Sequence, residues 1–412
     1  MNLKHKFNID IGWRNNLAPQ WLSTIYVATI SFVVSVLLAR GLGVEGFGVY
    51  SYVLSLAGIF FIVQDGGYKT LIFRNGVDGY SKGDGLIGFG TGYLLLVTVS
   101  GVVIVMLFQP KYWLVILAAI ICMSLVVLSE FVSSTLKGDG EFKLDALWKI
   151  TIRTVSAIAI LFVLFYYSNN EISYLFIAGT FALLIALIWP LVKGWLRWPR
   201  FNFNTEVIKA NMAFLTIDVA TVLYFRSDIV LLEYFGQQQG DVGQYSAAYR
   251  ILEGIILLAT PVAQITFRKL RLAENQQQFF RVLFLLIVSM LFAAILIITM
   301  GVLWGGDLIV FVFGEEYRKA GDLLPLLLIS MVFILPNYIL TQGAIALNKE
   351  VGYAKIVVGV ALLNIVLNLW LIPEFGAMGA AWATIVAEGI LCIGLGVMLW
   401  ISQKQESYAH WG

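Results

Sequence analysis

Apolar residues run along this chain in stretches of about 18 to 25, the length at which a helix crosses the hydrocarbon core of a bilayer. Twelve such stretches are present, at Ala18–Ala39, Phe47–Gln64, Leu86–Phe108, Tyr112–Leu136, Leu144–Tyr167, Ile172–Val192, Asn211–Phe235, Tyr245–Phe267, Val282–Trp304, Leu323–Leu347, Lys355–Ile372 and Gly379–Ile401. The pattern predicts an all-α polytopic membrane protein of about twelve transmembrane helices. The first apolar run follows Lys4, Lys6 and Arg14 but lacks a small-residue cleavage site, so it is expected to be retained as a helix.

Composition agrees with the pattern. Hydrophobic residues make up 60% of the 412 and charged residues only 13%. A soluble domain carries about 25% charged residues, so little of this chain is expected outside the bilayer. The net charge of +2 says little, whereas the placement of charge says much. With the N-terminus in the cytoplasm, 20 of the 27 Lys and Arg fall in cytoplasmic segments and 4 in external ones. Adding or dropping one span would invert the later loops and erase that asymmetry, so both termini are expected to be cytoplasmic. The longest external loop, about residues 305–322, is too short to fold as a catalytic domain. His5 and His410 lie in the polar tails, which leaves no histidine for a triad or metal site. Cys122 and Cys392 sit in apolar runs and read as small buried hydrophobes. The Gly-rich turns follow no strand and precede no Gly-Lys-Ser/Thr, so nothing points to nucleotide or nucleic acid, and no cofactor is expected.

A repeat divides the chain. Gly48-Val-Tyr50-Ser51 enters the second span and Gly243-Gln-Tyr245-Ser246 the eighth, each after a short Gly-containing turn. Spans 1–2 and 7–8 correspond if the protein is two six-helix lobes, residues 1–200 and 201–412, around a central cleft. An even number of spans gives both lobes one orientation, related by an axis along the membrane normal.

Three membrane-embedded positives remain: Arg153, Arg226 and Arg250. A charge at mid-bilayer costs about 3 kcal/mol on insertion scales, so these side chains should face protein or a water-filled cavity. A planar guanidinium fork suits phosphate oxygens. Arg226 and Arg250 are therefore candidates for binding an anionic passenger, with Arg40 at the mouth of the cleft. A structural reading stands beside this one, because Asp228 is close to Arg226 in sequence and Glu253 shares a helix face with Arg250. Glu130 and Arg153, at similar depth across one hairpin, read as a structural ion pair. Ion coupling would use a carboxylate that binds H+ or Na+, and Asp218, Glu388 and Glu253 are the candidates. Asn364 and Asn368, one turn apart, read as interhelical hydrogen-bonding groups. Tyr224 and Tyr249 are aromatic candidates for stacking on sugars.

Three stretches carry a family resemblance. They are Leu37-Leu-Ala-Arg40-Gly-Leu-Gly43-Val-Glu-Gly46-Phe-Gly48-Val-Tyr50 with Asp65-Gly-Gly67 and Arg74; Arg226-Ser-Asp228 through Gly236 and on to Glu253; and Phe313-Gly314-Glu-Glu-Tyr317 with Asn364, Asn368, Pro373, Gly376 and Gly379 to Thr384. In order and spacing they resemble the polysaccharide-biosynthesis flippases of the Wzx or RfbX type. That superfamily also holds multidrug and toxin extrusion transporters and lipid II flippases. The resemblance implies a flippase, not an enzyme, that moves an undecaprenyl-diphosphate-linked oligosaccharide (an O-antigen, capsule or exopolysaccharide unit) across the bacterial cytoplasmic membrane. It also implies alternating access between two lobes with a cationic cavity. Membrane lipids would surround it, with a polysaccharide polymerase and a chain-length regulator as further partners. A multidrug or cation antiporter is the alternative function. A membrane polymerase or ligase fits the short external loops poorly.

Overall fold

The computed structural model describes residues 3–77, 85–166, 171–201, 205–236, 240–271, 273 and 275–406. The side chains of residues 3–18, 74–75, 77, 205–214, 216–218, 221, 258–265, 268 and 404–406, those of Arg74, Asp218 and Pro261 among them, lie outside the described part. Among the described residues the regular structure is helical: α1 (Leu3–Asp65), α2 (Tyr68–Val77), α3 (Leu86–Phe108), α4 (Trp113–Gly138), α5 (Phe142–Tyr166), α6 (Ile172–Lys193), α7 (Thr205–Phe235), α8 (Asp241–Arg271), α9 (Gln276–Phe313), α10 (Arg318–Ile329), α11 (Met331–Ala346) and α12 (Glu350–Glu406). Seven of these helices are long and apolar enough to cross a membrane, or eight with the bent pair α10–α11 as one span. The protein is a multi-pass membrane protein.

Two helices exceed any bilayer and break where the backbone demands it. Gly43, at φ 68°, interrupts α1, and Gly376, at φ 55°, interrupts α12. Both dihedrals lie in the left-handed region that glycine enters without a Cβ penalty, so a single residue is enough to break each helix. The pair α10–α11 bends by 42° around Ser330. Pro325 and Pro336 flank this bend, and each lacks the N–H of its helical hydrogen bond.

The chain separates into two compact units. The first holds Met1–Gly41 and Val53–Val219; the second holds Leu42–Tyr52 and Ala220–Gly412. In the first, Tyr68, Val127, Phe131, Leu136 and Trp148 form the core between α2, α4 and α5. The buried carboxylate of Asp145 is set into this unit, where it accepts hydrogen bonds from Ser133 and from Gln20 at 2.7 Å and pairs with Lys149 at 3.0 Å. Asp65 lies at the end of α1 and caps α2, accepting from the backbone N–H of Gly67 and Lys69 at 3.2 Å each.

In the second unit, Leu270, Phe279, Leu283, Ile339, Leu395 and Leu399 form a core between α8, α9, α11 and α12. The short segment Leu42–Tyr52 of α1 belongs to this unit. Phe47 is fully buried there, edge-on to Tyr317 at 6.2 Å between ring centroids. The two copies of the repeated motif meet at their glycines. A Cβ on Gly48 would stand 3.0 Å from the backbone nitrogen of Gly243, and one on Gly243 would stand 2.0 Å from the carbonyl oxygen of Val44. Only hydrogen fits between backbones this close, which is how small residues let membrane helices approach.

Helix α9 shows how little burial a lipid-facing helix needs. Its most apolar window is only 11% buried, and Phe292, Ile295, Met300 and Phe311 stand exposed. Apolar side chains on that scale face hydrocarbon at no cost, whereas water would penalise them.

Candidate substrate-binding site

Arg226 projects from α7, and Arg250 and Glu253 lie one turn apart on α8. The helical period puts Arg250 and Glu253 on one face, so their side chains meet. The Glu253 carboxylate takes one guanidinium on each oxygen: Oε2 lies 2.7 Å from Arg250 and Oε1 lies 3.5 Å from Arg226. The triad thus carries two positive charges and one negative. Its side chains are between 21% and 28% exposed, neither sealed in the core nor fully open. The cluster is partly accessible, with guanidinium N–H donors beyond those one carboxylate can engage.

Asp228 is electrostatically close to Arg226, but its hydrogen bonds go elsewhere. Residues two apart on a helix do not face each other. Asp228 is instead 2% exposed, accepting from the hydroxyl of Tyr245 at 2.5 Å and from the N–H of Ile229 at 2.8 Å. It stitches α7 to α8 beneath the arginines. Tyr249 is also used inside the unit, buried and stacked on Tyr245 at 5.6 Å, so its ring is not presented to a sugar.

A second polar cluster joins α7, α11 and α12. Glu388 is 4% exposed; its Oε1 accepts from Tyr224 at 2.7 Å and its Oε2 from Asn337 at 2.7 Å. Ser227 donates to Asn364 at 3.3 Å, and Asn368 donates to the same Asn364 oxygen at 3.0 Å. Asn364 links α12 to α7, as interhelical hydrogen bonds do in membranes, and Asn368 supports it from one turn along α12.

The remaining candidates are on other elements or outside the described side chains. Arg40 is exposed at the end of the first unit's stretch of α1, two residues before the chain enters the second unit. Glu130 and Arg153 are half-buried on α4 and α5, which pack together. The side chain of Asp218 lies outside the described residues. Sequence reasoning missed Asp145, near the start of the predicted span Leu144–Tyr167. The one available signal was Lys149, four residues on and on the same face.

The profile of a family described as polysaccharide biosynthesis protein matches residues 15–267, more than half of the chain and including the whole triad. The chain belongs to this family. Among relatives of this polysaccharide biosynthesis protein, one from Shigella flexneri, provisionally described as an O-antigen transporter, is 23% identical over 84% of this chain and 87% of its own length. The "Probable low-salt glycan biosynthesis flippase Agl15" of Haloferax volcanii is 24% identical over 90% of this chain and 80% of its own. The "Capsular polysaccharide biosynthesis protein CapF" of Staphylococcus aureus is 22% identical over 92% and 97%. Of solved structures, an inward-facing multidrug-resistance transporter of the MATE family matches with a TM-score of 0.75 at 12% identity, covering 93% of this chain and 96% of its own. The lipid II flippase MurJ matches at 0.74 and 14%, covering 93% and 88%. At these identities the likeness is one of fold.

Proposed function

We infer that this polysaccharide biosynthesis protein is a transporter, not an enzyme, and flips a polyprenyl-diphosphate-linked oligosaccharide from the cytoplasmic to the external leaflet of a bacterial cytoplasmic membrane. One observation carries the reading: two partly exposed arginines on α7 and α8 share a single carboxylate, so the triad holds one more positive charge than negative. Such a charge is costly in lipid and useful against a diphosphate, whose oxygens match the guanidinium fork. An organic cation would be repelled by it. The glycan flippase and the O-antigen transporter among the relatives support a glycan as the passenger.

Twelve spans with both termini cytoplasmic form part of this proposal. Helices α1 and α12 each break at a glycine into two spans, and α10–α11 supply one bent span. The 20-to-4 partition of basic residues supports the orientation. The two lobes would alternate access to the site, Arg40 would act at its external mouth, and a polymerase with a chain-length regulator would take up the product.

The test is a strain without this gene. One complete repeat unit should accumulate on its lipid diphosphate while surface polymer disappears. Normal surface glycan with no accumulating intermediate, in a strain with no second flippase, overturns the reading.

Ion coupling is proposed at Glu388, the described candidate carboxylate with only neutral partners in contact. In proteoliposomes, Glu388→Gln should make flipping indifferent to an imposed H+ or Na+ gradient while retaining gradient-independent flipping. An unaltered gradient response removes Glu388 from the coupling step.

A further inference from the structure

Glu253 has no task in the reading above. A fixed negative charge should weaken an anion site, and an acid on a membrane helix is costly to keep. Its position gives it one. Each of its oxygens meets one guanidinium, as two oxygens of a diphosphate would. Without a bridging anion, two guanidinium groups would face each other across α7 and α8 in a medium where like charges repel strongly. The carboxylate is also able to leave. Its side chain is 28% exposed, whereas Asp228 nearby is 2% exposed and held by Tyr245 and Ile229.

We propose that Glu253 is an internal counter-anion, which occupies the diphosphate's seat between Arg226 and Arg250 in the empty protein and is displaced by the headgroup. The proposal rests on the diphosphate reading and adds a release mechanism to it. As the headgroup loosens, Glu253 closes back onto both arginines and prevents rebinding. Binding then costs the separation of Glu253 from its partners, so affinity is held below what two arginines alone would give.

The test uses the purified full-length protein in detergent, titrated with inorganic pyrophosphate, farnesyl diphosphate and phosphatidylglycerol. Glu253→Gln should bind pyrophosphate and farnesyl diphosphate about ten-fold more tightly than the parent, equivalent to about 1.4 kcal/mol. It should bind phosphatidylglycerol much as the parent does. The unliganded variant should melt at a lower temperature, and pyrophosphate should restore it, because the arginines accept a counter-anion from any source. Should Glu253→Gln not fold, Glu253→Asp, one methylene shorter and able to reach one arginine, should show a smaller tightening. Unchanged or weaker binding with no rescue by pyrophosphate, while Arg250→Ala still loses binding, makes Glu253 a permanent clip; this proposal then fails and the diphosphate reading survives. If Arg250→Ala binds as the parent does, the diphosphate reading itself fails. Equal tightening toward phosphatidylglycerol overturns the assignment to a diphosphate in favour of a general lipid phosphate.

Discussion

Arg226→Ala and Arg250→Ala are each expected to abolish transport while the protein still inserts into the membrane. Either change leaves one guanidinium against Glu253, so the triad falls from one net positive charge to none. A hydrogen bond to a charged group is worth about 1.5–3 kcal/mol, so each arginine should contribute roughly ten- to a hundred-fold in headgroup affinity. Loss of net attraction in a low-dielectric site adds to that. Lysine substitutions should fall between, since they keep the charge but lose the planar fork. Complementation of a deletion strain, read as surface polysaccharide beside the amount of protein in the membrane fraction, checks this. Two alanine variants that transport normally would leave the arginines without a role in binding.

The second large effect is expected on stability. Asp145→Ala should lower the thermal midpoint of the purified protein by several degrees. Asp145 is fully buried and holds α1, α4 and its own helix α5 together through Gln20, Ser133 and Lys149. Removing one member of a buried pair costs about 3–5 kcal/mol when the other charge is stranded. Lys149 has a 25% exposed side chain and regains some water, which reduces the figure to about 2–3 kcal/mol. Asp145→Asn keeps acceptor capacity toward Gln20 and should lose roughly half as much. A thermal midpoint of Asp145→Ala equal to the parent's would mean the cluster is idle.

The repeated glycines have a clear structural result. Gly48 and Gly243 were visible only as a shared Gly-x-Tyr-Ser pattern, and in the folded chain the two glycines touch. Their close approach explains why both copies begin with the smallest residue.

The division between what was legible in the chain and what was not follows the range of the physics involved. Hydropathy acts on each residue where it stands, so apolar runs of bilayer length marked most of the long helices, though not the short α2 (Tyr68–Val77) or the bend at Ser330 within the run Leu323–Leu347. Intramembrane charge is costly wherever it faces lipid, so Arg226, Arg250 and Glu388 were singled out without coordinates. Left-handed turns need glycine, so Gly43 and Gly376 fell within the predicted breaks.

Partners were a different matter. Sequence neighbours suggested Asp228 for Arg226; the ion pair is with Glu253 of α8, and Asp228 acts on Arg226 only electrostatically. Asp228 went to Tyr245, Tyr249 into the core, and Asp145 into a buried cluster with Gln20 of a distant helix. The segment Leu42–Tyr52 joined the second unit although its chain neighbours lie in the first. Each of these outcomes depends on which helix faces meet, and that is fixed by packing among residues more than a hundred positions apart, or by the rotation of two adjoining helices. Local chemistry determined which residues had to be satisfied; only the tertiary structure decided which groups would satisfy them.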